Sequence, residues 1–140
     1  MLTELIFIIF LTLTVELIVA LPVALVIGLD PIFSLILVVT VNIIPAYPIF
    51  KLFENLYKKE NRIIMFLLKR GEYLRRKAKK GLDLAVLIFT PIAGVYVTSL
   101  FLALIKFPTK KGILLQIVSL LFYGLAIIFG YYFLNMGFYI

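Results

Sequence analysis

The sequence predicts an all-α integral membrane protein, and three observations carry that reading. Of the 140 residues, 64% are hydrophobic and only 15% charged, with a mean hydropathy of +1.18. Water-soluble domains carry about 45–50% apolar and about 25% charged residues, and a chain this short has no core large enough to hide the surplus. Four stretches, residues 5–29 (interrupted by Glu16 alone), 31–50, 84–105 and 112–140, are long enough and apolar enough to enter a bilayer, which takes about 20 apolar residues to cross. Finally, all fourteen Lys and Arg lie from Lys51 to Lys111, the kind of asymmetry that orients membrane proteins.

The first element, residues 1–29, opens Met1-Leu2-Thr3-Glu4 with no basic residue ahead of the apolar run, so it reads as a retained segment rather than a cleavable leader. Glu16 and Pro22 split it, and Gly28-Leu29-Asp30-Pro31 ends it in a turn free of basic residues, as an external loop should be. We read it as a hairpin entering from outside. Residues 31–55 follow as a transmembrane helix running inward.

Residues 56–81 are a basic cytoplasmic connector. Eleven of the cationic side chains fall in residues 51–80, which the positive-inside rule places in the cytoplasm. Leu56, Ile63, Leu67, Leu74 and Ala78 share one narrow helical stripe, so an amphipathic interfacial helix is expected, its lysines and arginines meeting anionic lipid headgroups. Gly71 weakens its middle. A basic patch pinned to a membrane and without a recognition motif gives no reason to invoke nucleic acid.

Residues 82–105 pose a conflict. Were they a simple span, Lys106, Lys110 and Lys111 would be external, against the charge rule. A re-entrant hairpin that turns at Thr90-Pro91-Ile92-Ala93-Gly94 removes the conflict. Pro91 deletes a backbone donor and obstructs the preceding turn, and Gly94 permits non-helical dihedrals. Residues 109–135 then form a second, outward transmembrane helix. The whole reads as one membrane domain, an inverted repeat of re-entrant hairpin plus transmembrane helix, with basic segments cytoplasmic and both termini external. Four plain transmembrane helices are the alternative. Inverted repeats are the architecture of transporters with a site near the bilayer midplane.

Chemistry has few candidates. Cysteine and histidine are both absent, so thiolate and imidazole metal sites, disulfides, and Cys or His catalysis drop out. One intramembrane carboxylate does not make the paired set that aspartyl chemistry needs, and serine hydrolysis needs a base partner. We expect no enzyme and no cofactor. Glu16 is the sole acidic or basic residue inside any apolar stretch. Such a carboxylate costs about 2.5–3.5 kcal/mol to insert and is a functional candidate by default, here for a proton or cation. Around it the expected substrate or proton site comprises Pro22, Asn42 and Pro45 from the first half and Pro91, Gly94, Tyr96 and Thr98 from the second. Gln116 is expected to make an interhelical contact.

The stretch Glu16-Leu17-Ile18-Val19-Ala20-Leu21-Pro22, the run Asn42-Ile43-Ile44-Pro45 and the segment Thr90-Pro91-Ile92-Ala93-Gly94-Val95-Tyr96-Val97-Thr98 together resemble the small multidrug export protein family of prokaryotic membrane proteins, whose layout is similar to that of the DedA proteins with two re-entrant hairpins. Glu16, Pro22, Asn42, Pro45, Pro91 and Gly94 match the family pattern. Ile18 and Val19 replace its Arg-Gly pair, Ile92-Ala93-Gly94 keeps only the last glycine of its Pro-Gly-Thr-Gly run, and Tyr96 stands for a more usual tryptophan. The resemblance implies export of small molecules, and the DedA likeness implies proton coupling or lipid translocation. The expected function is thus transport of a small amphipathic molecule or lipid, coupled to protons at Glu16. Alternatives are a noncatalytic membrane scaffold or lipid scramblase-like protein, and a four-span drug/proton antiporter of the small multidrug resistance type, which the lysine and arginine bias disfavours. A homodimer is one arrangement open to so thin a bundle.

Overall fold

The backbone breaks at a few positions along the apolar runs, and the breaks define the architecture. The computed structural model describes residues 2–58, 62–77 and 81–137. Among these, the elements are helices only: α1 (Leu2–Val15), α2 (Leu17–Val26), α3 (Pro31–Ile43), α4 (Ala46–Tyr57), α5 (Arg62–Lys77), α6 (Leu82–Leu104) and α7 (Thr109–Gly137). By length and composition three segments can cross a membrane: α3 and α4 taken together (Pro31–Tyr57), α6 (Leu82–Leu104) and α7 (Thr109–Asn135). Their outer surfaces fit that solvent, with Phe122, Phe129 and Phe133 of α7 all more than two-thirds exposed, an apolar display that water does not favour.

The first expected transmembrane helix is interrupted. Ile44 and Pro45 form a turn between α3 and α4, because Pro45 brings no N–H to the ladder and its ring crowds the turn before it. The connector is likewise divided, α4 running to Tyr57 and α5 from Arg62. Of its expected apolar stripe, Leu56 is half-buried on α4. Ala78 and the side chains of Ile63, Leu67 and Leu74 lie outside the described residues.

The chain forms two compact units, one of residues 1–42 and 120–140, the other of residues 43–119. In the first, α1, α2 and α3 bury Ile8, Leu17, Leu21, Ala24, Leu35 and Val38. Gly124 of α7 belongs here, its Cα pressed against the Leu35 side chain so closely that a Cβ would collide with it. In the second, Phe50 of α4 joins Leu82, Val86, Leu102, Ala103, Ile105 and Phe107 in a single core cluster, and Gly112 of α7 leaves room for the Phe50 ring. Gly71 of α5 is buried against the backbone of Leu104, where a Cβ would overlap the carbonyl oxygen. The glycine that weakens α5 as a helix is what lets it lie on the end of α6.

The two ends of α6 come together in this second unit. The Asp83 carboxylate in its first turn is 2.6 Å from Lys111 Nζ, seven residues past its end, and Leu82 and Phe107 line one small cavity. A straight helix of 23 residues would hold those ends about 35 Å apart. The departure from helical geometry is at Gly94, with φ 85° and ψ 161°.

Candidate functional site

Glu16 sits at the break between α1 and α2. Its N–H still bonds to Thr12 O (3.2 Å) and its own carbonyl already accepts from Ala20 N (3.1 Å), so the chain is reoriented by this one residue. Its dihedrals, φ 68° and ψ −176°, fall in a region that is essentially restricted to glycine. The side chain is half-buried in a run where every other residue from Leu5 to Gly28 is uncharged.

Gly94 adopts nearly the same conformation 78 residues later. The agreement extends along the chain at that same offset. A ten-residue helix follows Glu16, and ten helical residues follow Gly94 before the cap at Ile105. Gly28 (φ 83°) and Lys106 (φ 53°) then turn left-handed. Each closes a paired hydrogen-bond motif at the helix end: Gly28 N to Leu25 O (3.1 Å) with Leu29 N to Ala24 O (3.0 Å), and Lys106 N to Ala103 O (3.0 Å) with Phe107 N to Leu102 O (2.9 Å). Asp30 and Pro108 start the next helices through Ser34 N to Asp30 O and Gly112 N to Pro108 O, and Asp30 Oδ1 also caps Phe33 N at 2.8 Å. Before the breaks, Thr12 and Thr90 are both buried and both donate to the carbonyl four residues back, Ile8 O (2.7 Å) and Val86 O (2.6 Å).

Carbonyls left open by these breaks find partners. Pro91 is buried within α6 and has no N–H for Leu87 O; Ser119 Oγ of α7 donates to that oxygen at 2.6 Å. The last turn of α6 is held by side chains of the connector, Tyr57 donating to Ala103 O and Arg75 Nη1 to Lys106 O at 2.9 Å, with Lys106 Nζ over the Tyr57 ring. The last turn of α2 has a matching arrangement. Tyr131 Oη of α7 lies 3.4 Å from Leu25 O, and Leu25 is the residue 78 positions before Ala103. The Asp83–Lys111 pair is half-exposed at both partners and so contributes little stability by itself.

The expected site residues divide between the two units. Glu16, Pro22 and Asn42 belong to the first; Pro45, Pro91, Gly94, Tyr96 and Thr98 belong to the second. Pro22 lies inside α2, Pro45 opens α4, and Tyr96 is half-buried just past Gly94. Asn42 is buried with neither amide atom hydrogen-bonded, and the hydroxyls of Ser34 and Thr98 are buried likewise. Gln116 makes the interhelical contact expected of it, exchanging hydrogen bonds of 3.1 Å with Ser99, both fully buried. Sequence reasoning missed Ser119. Its signal is the spacing Gly112, Gln116, Ser119, a stripe of small and polar residues at i, i+4 and i+7 on an otherwise apolar helix. Among the described residues no group of three or more acidic side chains could hold a metal ion.

A family model described as "putative small multi-drug export protein" matches residues 16–126, beginning at Glu16 itself and running through both breaks. The chain belongs to the small multi-drug export protein family. Neither the curated proteins nor the solved structures include a match. For this family member the match covers α2 to α6 and α7 as far as Ala126, and leaves α1 and the end of α7 outside it.

Proposed function

We propose that this small multi-drug export family member is a membrane exporter of a small amphipathic molecule or lipid, coupled to protons at Glu16 and built as an inverted repeat of two re-entrant helix pairs with a DedA-like layout. The observation that carries the proposal is Glu16 itself. A carboxylate inside an apolar segment costs free energy, and a non-glycine residue in that backbone region costs about 1–3 kcal/mol more. Gly94 occupies the equivalent break without either cost. A residue that is expensive twice over, where the fold is satisfied elsewhere by glycine, is retained for what its side chain does.

The inverted repeat is supported by reciprocity. The first unit combines the broken α1–α2 pair with the later part of α7, and the second combines broken α6 with α4. The boundary after residue 42 and the one after residue 119 fall close to the 78-residue offset. Tyr131 of α7 reaches the end of the first pair and Tyr57 of α4 reaches the end of the second. Mutual exchange of this kind is what a two-fold relation produces, each half giving the other what it receives. The distribution of lysine and arginine supports opposed entry, with residues 51–80 and 106–111 sharing the cytoplasmic side.

The test is acid-gradient-driven accumulation of fluorescent amphiphiles, neutral, cationic and lipid-based, in proteoliposomes. Wild-type protein should accumulate at least one class, and Glu16→Gln should fold normally yet lose gradient-driven accumulation. Transport that survives in well-folded Glu16→Gln would remove the proton site and leave facilitated movement or scrambling.

A further inference from the structure

Threonines in these helices normally dispose of their hydroxyls locally. Thr12 and Thr90, both buried, and Thr40, exposed, each donate to the carbonyl four residues back, at 2.7, 2.6 and 2.7 Å, a habit of threonine within helices. Thr98 does not. The carbonyl four residues before it belongs to Gly94, the residue at the break, and the hydroxyl makes no bond to it. Its hydroxyl, on a side chain only 6% exposed, is left without a partner, which costs free energy in a buried setting. The equivalent position in the first half is Ala20, which has no hydroxyl to satisfy. The unpaired group is therefore a property of the second half and not of the repeated backbone.

Thr98 also lines a groove of about 580 Å³ formed wholly by α6 and Gly81, with Leu82, Phe89 and Ala93 from before the break and Val97 and Phe101 from after it. That volume lies within the range of small-molecule sites, which are mostly apolar with a few placed polar groups. No charged side chain lines it among the described residues. A charged guest would shed its hydration with no counter-charge to replace it, a heavy cost in such surroundings. A neutral guest with one hydrogen-bonding group loses nothing comparable, because a threonine hydroxyl can donate and accept; the Thr98 hydroxyl is buried as it stands, and a change of χ1 rotamer is the movement that would present it to the groove.

We infer that the α6 groove is a binding site for a neutral amphiphile, an apolar body carrying a single hydroxyl or carbonyl that pairs with Thr98. The inference rests on the exporter reading only in treating this guest as cargo; binding itself needs no gradient and no Glu16. It separates this chain's cargo from lipophilic cations and from anionic lipids, either of which would need a charge in the groove wall.

Photolabelling of the purified protein in neutral-lipid nanodiscs with a diazirine-bearing decanol tests it, with labelled positions mapped by mass spectrometry. Labelling should concentrate on α6 around residues 82–101 and be competed by decanol, but not by decyltrimethylammonium or decanoate. Thr98→Val should weaken labelling about fivefold, the loss of one hydrogen bond, while Thr98→Ser retains it. Ala93→Phe, at an exposed wall position, should block the groove and abolish the α6 label. Thermal unfolding of each variant reports folding separately. Label spread evenly over the outer face of α7, wild-type labelling by well-folded Thr98→Val and Ala93→Phe, or equal competition by the cation would overturn the site. Failure of transport in the Glu16→Gln experiment leaves these outcomes unchanged, so the two readings fail independently.

Discussion

Glu16 and Gly94, 78 residues apart, hold the backbone in the same conformation, φ 68° and ψ −176° at one and φ 85° and ψ 161° at the other. One has no side chain and the other has an ionisable one inside an apolar segment. Since the flanking helices, their caps and the buried threonines before the breaks agree at the same offset, the conformation belongs to the architecture and the carboxylate belongs to something else. The repeated backbone makes room for a break; the glutamate at one of the two breaks is the proton site in the function proposed above.

Replacing Glu16 with the residue its backbone calls for separates fold from function. Glu16→Gly should raise the unfolding free energy in detergent by roughly 1 kcal/mol, by relieving the strained conformation, and should abolish gradient-driven transport. A glutamate kept only to tie the break together would give the opposite stability result, with Glu16→Gly unfolding more readily than wild type.

Gly71 and Gly81 make a second contrast. At Gly71 an added methyl meets the carbonyl of Leu104, whereas at Gly81 it meets open space. Backbone cannot yield as a flexible side chain would, so Gly71→Ala should lift α5 from the end of α6 and cost ~1–3 kcal/mol. Gly81→Ala should be close to neutral. Thermal unfolding of both, alongside proteolysis of the connector, checks the pair, and equal stabilities would count against the close approach.

Ser119 and Pro91 should be coupled. Ser119→Ala strips the donor from Leu87 O and should cost about 1 kcal/mol, near the upper part of the range for hydrogen bonds in membrane helices. In a Pro91→Ala background residue 91 regains an N–H, so the same Ser119→Ala change should cost almost nothing. Stability measurements on the four proteins of this cycle give the coupling directly, and strict additivity would show that the serine is not serving the carbonyl that proline exposes.

Much of this was legible because breaks are written in the sequence. Pro91 and Gly94, Gly28-Leu29-Asp30-Pro31, and the run Lys106-Phe107-Pro108 mark places where a helix cannot continue, and the structure ends or bends its helices there. Glu16 was legible as the lone charge but not as a residue in glycine's conformation, since nothing in its identity favours that region. Pro45 was read as a site residue within a span, yet it also divides α3 from α4. The repeat was visible only as layout, because backbone dihedrals and hydrogen bonds can coincide while side chains at the same offset, such as Ala20 and Thr98 or Ser34 and Gly112, differ. Contacts with distant partners, Ser119 with Leu87 and Gly71 with Leu104, leave no local pattern strong enough to name the partner.

The inverted repeat itself is tested most directly by the sidedness of single cysteines in intact cells, with the absence of native cysteine making each label unambiguous. Cysteines replacing Leu29, after the first broken pair, Asn55, in the basic half of the chain, and Pro108, after the second broken pair, are each labelled with a membrane-impermeant maleimide before and after permeabilisation. The account predicts that Leu29→Cys reacts from outside while Asn55→Cys and Pro108→Cys react only after permeabilisation. Labelling of Pro108→Cys from outside, with Asn55→Cys still protected, would make α6 an ordinary span and contradict the account.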